Sequence, residues 1–210
     1  MEQIIAYLQQ RYQPLGIIVY GSFADGSNNA NSDFDALLII ESGEKGHDNS
    51  IIEGIELDVW ICPKYLFEKE TEILFEDYVQ LESGKVIWDL DGSAVKLVEA
   101  VCRYVNNYIP KSKEDNRVNV EWCEKMLLRV KRDDAEGYFR WHWLLVDSLE
   151  IYFDLCGKRY KGPKKSIRAM QAFDAEAAKL YEKALSQLNY EALTAWICYL
   201  RKRLNESLDE

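Results

Sequence analysis

Two aspartates one residue apart, Asp33 and Asp35 in SDFDALLII, stand where an apolar run begins. A third, Asp58, lies inside the alternating segment GIELDVWIC at 54–62. Side chains i and i+2 of a strand share a face, roughly 6–7 Å apart. Asp33 and Asp35 therefore look the same way, while Phe34 between them turns to the core. Two such acids repel each other unless a cation sits between them. In 54–62, Ile55, Leu57, Val59 and Ile61 form one face, and Glu56, Asp58 and Trp60 the other. An acid in the middle of a strand that favours burial is costly unless its charge is paired or coordinates metal. If the two strands are sheet neighbours, the three carboxylates make a hard-oxygen pocket suited to Mg²⁺ or Mn²⁺.

Ahead of these acids, the apolar run LGIIVYG (15–21) ends in Gly21-Ser22. A glycine after a strand lets backbone approach a ligand closely. Ser22 at a helix start offers a hydroxyl and N–H groups to phosphate oxygens. Loop and acids together describe a site for a metal-bound triphosphate. Separately each signal is weak; their order along the chain is what gives them force.

That order resembles the nucleotidyltransferase superfamily typified by DNA polymerase β. Its pattern is Gly-Ser, a spacer, an apolar-flanked Asp-x-Asp and a third acid on a later strand, matched here by Gly21, Ser22, Asp33, Asp35 and Asp58. The resemblance is specific over 15–62. With a helical second half, the whole chain is similar to the aminoglycoside and lincosamide nucleotidyltransferases that modify antibiotics. It implies transfer of a nucleoside monophosphate from an NTP, with ATP the expected donor, to a hydroxyl, using two divalent ions and releasing pyrophosphate. Asp33 and Asp35 would hold both ions, and Asp58 the catalytic one. The acceptor implied is a small molecule, an aminoglycoside-like cation being one candidate. Transfer to protein or RNA, and an idle antitoxin-like nucleotide-binding module joined to a HEPN-like bundle, are the alternatives. An Arg followed by a His four to six residues on would mark an active ribonuclease bundle, and neither Arg132 nor Arg140 stands so to His142.

The elements that must position these residues read as an α+β unit. A helix over EQIIAYLQQRY, strands at 15–21 and 34–40, a loop at 41–50, a strand at 54–62, a helix from Pro63 to about Gln80 and a short strand ending near Gly92 are expected. Five helices follow, at 93–109, 112–132, 135–156, 174–187 and 189–207. Strands first and helices afterwards imply a mixed-sheet domain at 1–95 and a helical bundle at 96–210.

The bundle carries two further candidates. GKRYKGPKKSIR (157–168) packs six cations into twelve residues, and Lys164 and Lys165, near a helix start after Gly162-Pro163, are expected to contact the β- and γ-phosphates. On 135–157, Tyr138, Trp141, Leu145, Leu149, Tyr152 and Cys156 form an apolar stripe. Arg140, Trp143, Asp147, Glu150 and Asp154 form a second stripe suited to a cationic or ring-bearing acceptor, with Glu150 as a candidate general base. Glu56 is a second candidate base. His47, in a polar loop, and His142, among aromatics, are given no role.

Composition sets bounds. The chain has 210 residues, 48% hydrophobic and 30% charged, with net charge −10. Residues 1–95 hold 5 Lys+Arg against 18 Asp+Glu. That surface suits cations and opposes tracking along a nucleic-acid backbone. Five dispersed cysteines suit reduced, buried thiols, and no apolar run approaches the roughly 20 residues of a membrane span, so a cytoplasmic protein is expected.

Overall fold

A computed structural model describes residues 1–132 and 134–209. The chain is α+β and divides into two compact units, Met1–Tyr108 and Ile109–Glu210.

The first unit is built on a mixed sheet. Its strands are β1 (Gly16–Val19), β2 (Phe34–Ile40), β3 (Gly46–Asp48), β4 (Ile51–Ile52), β5 (Ile55–Pro63) and β6 (Lys85–Asp89), in the order β3-β5-β2-β1-β6, with β4 pairing β5. Among the described residues only β2 and β5 run parallel; β1 pairs antiparallel with both β2 and β6. The alternation of β1, β2 and β5 sorts their side chains into two layers. Ile17, Val19, Phe34, Ala36, Leu38, Leu57 and Val59 pack with Ile4 and Leu8 of α1 (Glu2–Tyr12) and Ala24 of α2 (Gly21–Asp25). Ile18, Leu37, Ile39 and Cys62 pack on the opposite face against α3 (Ser93–Asn106).

Two expectations fail in this unit. The segment after Pro63 is not one helix but three short 3-10 segments, Lys64–Phe67, Glu70–Glu72 and Phe75–Ser83. Its buried side chains are few: Tyr78 and Leu81, three residues apart, are the buried pair of the last segment. That spacing meets on one edge of a three-residue turn and leaves no wide stripe to sustain an α-helix. The stretch 41–50 is not wholly loop, since Gly46–Asp48 extends the sheet along β5.

The division between units falls at Tyr108–Ile109, not at residue 95, because α3 buries Ala94, Leu97, Val101 and Val105 against the sheet. A helical period gives the existence of such a stripe but not the surface it covers.

The second unit contains α4 (Lys113–Arg129), α5 (Ala135–Leu155), α6 (Gly162–Phe173), α7 (Ala175–Gln187) and α8 (Tyr190–Asp209). A capping box starts α4, where the Ser112 hydroxyl accepts from Asp115 N and Asp115 accepts from Ser112 N. α5 is central: Ile151 to Leu155 are all buried, so its lower half is packed on every side. Trp196 fills the centre and donates from Nε1 to Ser148 Oγ at 2.9 Å. Asp174 caps α7 through Ala177 N and accepts from the hydroxyls of Tyr152 and Tyr199, at 2.7 and 2.9 Å. No helix among the described residues is long and apolar enough to cross a membrane.

Candidate active site

The parallel β2–β5 register pairs Phe34 with Leu57 and Asp35 with Asp58. Leu57 and Val59 are buried in the α1 layer, so Asp58 is turned to the other face, where Asp35 also stands. Asp33 precedes the strand by one residue and falls on the same side. Oxygens of Asp33, Asp35 and Asp58 lie within 4.8 Å of one another. All-oxygen donors at that spacing fit a hard divalent cation such as Mg²⁺ or Mn²⁺.

Gly21 opens α2 beside them with φ of +64°. A Cβ added there would lie 2.1 Å from Asp35 Oδ2, so any side chain would displace the carboxylate. Only glycine combines this close approach with a left-handed backbone at low cost. The backbone N–H of Tyr20 donates to Asp35 O at 3.1 Å, tying the end of β1 to the strand that carries the acids. Ser22 is buried in the first turn of α2. The Tyr20 hydroxyl shares this face; burial, then the charges of Asp58 and Asp35, hold its pKa well above the ordinary value.

Beyond the acids the face continues through Trp60 and Cys62 into a cavity of about 330 Å³, also lined by Leu37, Lys45, Asp77, Tyr78 and Gln80. Lys45 Nζ lies 5.4 Å from the centre of the Trp60 indole and 5.9 Å from that of the Tyr78 ring. Burial raises the Cys62 thiol pKa, so this cysteine is a packing residue and not a thiolate.

One neighbour of the acids was missed from the sequence. His47 Nε2 is 2.6 Å from Asp58 Oδ1. β3 places His47 opposite Trp60, and their rings are 4.7 Å apart. A three-residue strand reading Gly-His-Asp, after a turn-rich stretch, carries no alternation long enough to be read. Glu56, the second candidate base, is exposed on β5 two residues before Asp58.

The remaining sequence candidates form two clusters in the helical unit. Glu150, exposed on α5, lines a cavity of about 420 Å³ with Lys111, Asn119, Trp122, Trp143, Asp147 and Ile151. Trp122 and Trp143 meet edge to face with ring centres 5.3 Å apart. Asp154 was expected on this acidic stripe. It is instead buried, at 5% exposure, and bound to Lys111 Nζ at 2.7 Å. Tyr138, assigned to the apolar stripe, is 56% exposed.

Lys164 and Lys165 are exposed in the first turn of α6, where Pro163 takes the early position it tolerates. Lys165 lines a cavity of about 320 Å³ with Lys158, Arg159, Lys161 and Ser166 over a floor of Phe153, Ala169 and Phe173; Lys164 lies beside it in sequence without lining it. Lys158 Nζ sits 5.0 Å from the Phe173 ring centre.

Residues 1–116 match the family model described as "Nucleotidyltransferase domain". No curated protein matches the chain. Among solved structures, a nucleotidyltransferase-like protein from Exiguobacterium sibiricum 255-15 is similar at 13% identity and TM-score 0.46, covering 98% of this chain and 74% of that one. A spectinomycin adenyltransferase from Enterococcus faecialis, solved with ATP and spectinomycin, is similar at 12% identity and TM-score 0.43, covering 97% and 98%.

Proposed function

Because the chain belongs to the nucleotidyltransferase-domain family and is a nucleotidyltransferase, we propose that it moves a nucleoside monophosphate from an NTP, ATP being the first candidate, to a hydroxyl of a cationic small molecule. The observation that carries this reading is the cluster of Asp33, Asp35 and Asp58, with oxygens within 4.8 Å of one another beside the bare backbone of Gly21.

In this reading Asp33 and Asp35 would hold two divalent ions, and Asp58 would hold the catalytic one. When bound, such ions neutralise triphosphate charge and lower the pKa of a hydroxyl. Gly21 brings backbone against Asp35 with no side chain in the way, and Ser22 offers its N–H and hydroxyl to phosphate oxygens. The acceptor oxygen bonds to the α-phosphorus, the bond from that phosphorus to the β-phosphate oxygen breaks, and pyrophosphate leaves. The hydroxyl proton needs a base, for which Glu150, on the acceptor cavity, and Glu56, on the strand of Asp58, are the candidates.

Trp122, Trp143, Asp147 and Glu150 favour an acceptor that carries both positive charge and a ring or apolar face. An aminoglycoside-like antibiotic meets that description. Lys165, with Lys164 behind it, is the candidate contact for the β- and γ-phosphates, supported by the four cations around its cavity. A K164A/K165A double variant that kept full affinity for triphosphate would remove this assignment. The supply of NTP and the five free cysteines favour the cytoplasm as the compartment.

The deciding experiment is a transfer assay with each labelled NTP and Mg²⁺ against aminoglycosides, protein and RNA. Pyrophosphate release dependent on a cationic small molecule supports the proposal, and labelling of protein or RNA alone refutes it.

A further inference from the structure

We propose that His47 is a positioning residue for the metal site: it holds one oxygen of Asp58 so that the carboxylate is set for a divalent ion before the ion arrives. The inference rests on the metal reading of the acid cluster and assigns a role to a residue outside it.

The geometry starts with β3. Its two last residues face opposite sides of the sheet. Asp48, turned inward, is 5% exposed, and its Oδ2 accepts from the hydroxyls of Tyr7 and Tyr12 at 3.1 and 2.8 Å. Its Oδ1 accepts from Ser50 N at 2.9 Å. Two tyrosines of α1 thereby anchor a strand too short to be stable through its own ladder. His47, on the other face, is delivered to Asp58.

The contact itself is directional. An ionised carboxylate only accepts, so Nε2 of His47 carries the hydrogen and donates to Asp58 Oδ1 at 2.6 Å. The imidazole is braced by the Trp60 indole, 4.7 Å away at 49°. One oxygen of Asp58 is thus engaged by a braced donor, and in this proposal its second oxygen takes the cation shared with Asp33 and Asp35. Both partners are partly open to water, with side chains 36% and 41% exposed, so the bond adds little to folding stability. Its worth lies in orientation. A carboxylate held in one rotamer gives up less freedom when it ligates, and partners of this kind typically change metal affinity by about 10- to 100-fold.

The test is Mn²⁺ binding to the full chain without nucleotide, followed by the electron-spin resonance signal of free Mn²⁺, for wild type, H47A, H47Q, H47N and D58N. Far-UV circular dichroism and the melting temperature accompany each protein. H47A is expected to bind Mn²⁺ about tenfold more weakly with an unchanged fold. H47Q, whose amide N–H can take the place of Nε2–H, is expected to stay within about threefold of wild type, which a merely space-filling histidine would not predict. H47N keeps a polar group on the strand but stops short of Asp58, so it should bind as weakly as H47A; it carries the comparison if the alanine variant does not fold. Wild-type affinity in H47A or H47N, or equal weakness of H47Q and H47A, would overturn the role of His47 and leave the metal reading standing. Equal binding by wild type and D58N, or none by wild type, would overturn the metal reading and this inference with it.

Discussion

Among the described residues, each unit contains a carboxylate that holds two tyrosine hydroxyls, and the two differ in what they build. Asp48 ties Tyr7 and Tyr12 to the edge of the sheet. Asp174 ties Tyr152 and Tyr199 together and caps α7. For both, burial alone would raise the pKa. Hydrogen bonds from Ser50, Tyr12 and Tyr7 to Asp48, and from Ala177 N, Tyr152 and Tyr199 to Asp174, outweigh it, and both carboxyls lie below their ordinary value. Asp174 joins helices within a core. Asp48 fixes a strand whose opposite face carries His47 beside the three acids. The same device is construction in one unit and, in the sheet unit, the support of a site. Acids with several donors are structural, and acids that face one another are candidates for chemistry.

The comparison breaks most visibly at the facing acids. Asp35→Asn should lower transfer activity on the order of 10³-fold while the melting temperature holds, measured by pyrophosphate release beside calorimetry. A large loss of stability instead would make Asp35 structural. Gly21→Ala comes next. Its Cβ would meet Asp35 Oδ2 at 2.1 Å on a backbone with φ of +64°. Activity should fall about 10²-fold through the displaced carboxylate. Strain at that backbone should cost about 1–2 kcal/mol in denaturant unfolding.

Asp174→Asn tests the structural side. Removing the charge that two tyrosines and a helix cap share should cost about 2 kcal/mol and leave KM values unchanged. The pH sign follows from the depressed pKa. The contribution of Asp174 is full above the unfolded carboxyl pKa of about 3.9 and is lost as pH falls through the lower folded value. The melting temperature of the wild type should therefore drop more steeply below about pH 4 than that of the variant. The smallest effect belongs to the acceptor cavity: Trp143→Ala should raise KM for a cationic acceptor about fivefold and leave KM for NTP alone, as loss of one cation–π contact implies. An unchanged KM would remove Trp143 from the acceptor site.

How much of this was legible follows from the same contrast. β2 and β5 are long enough for alternation to fix which residues share a face, so Asp33, Asp35 and Asp58 stand out in the sequence. Their nearness needed the parallel register, which no local signal encodes. His47 was passed over because its strand is three residues long and is held by Tyr7 and Tyr12, more than thirty residues earlier. In the helical unit the 3.6-residue period located α4, α5, α7 and α8 but not the burial of Asp154, which depends on Lys111 arriving from outside α5. In the sequence α6 shows only as a basic loop opening into a short helix, because six cations obscure the stripe made by Ser166 and Met170.

The parallel pairing of β2 with β5 has an evolutionary corollary. Parity governs the third acid: sliding β5 by a single position would present Leu57 or Val59 where Asp58 now stands. Intermediate arrangements do not exist, so a change of length in the exposed turn at 41–44, ahead of the strand that carries His47, is harmless while β5 keeps its count, and any change that shifts that count abolishes the cluster. That turn is free to vary in length; phase is not.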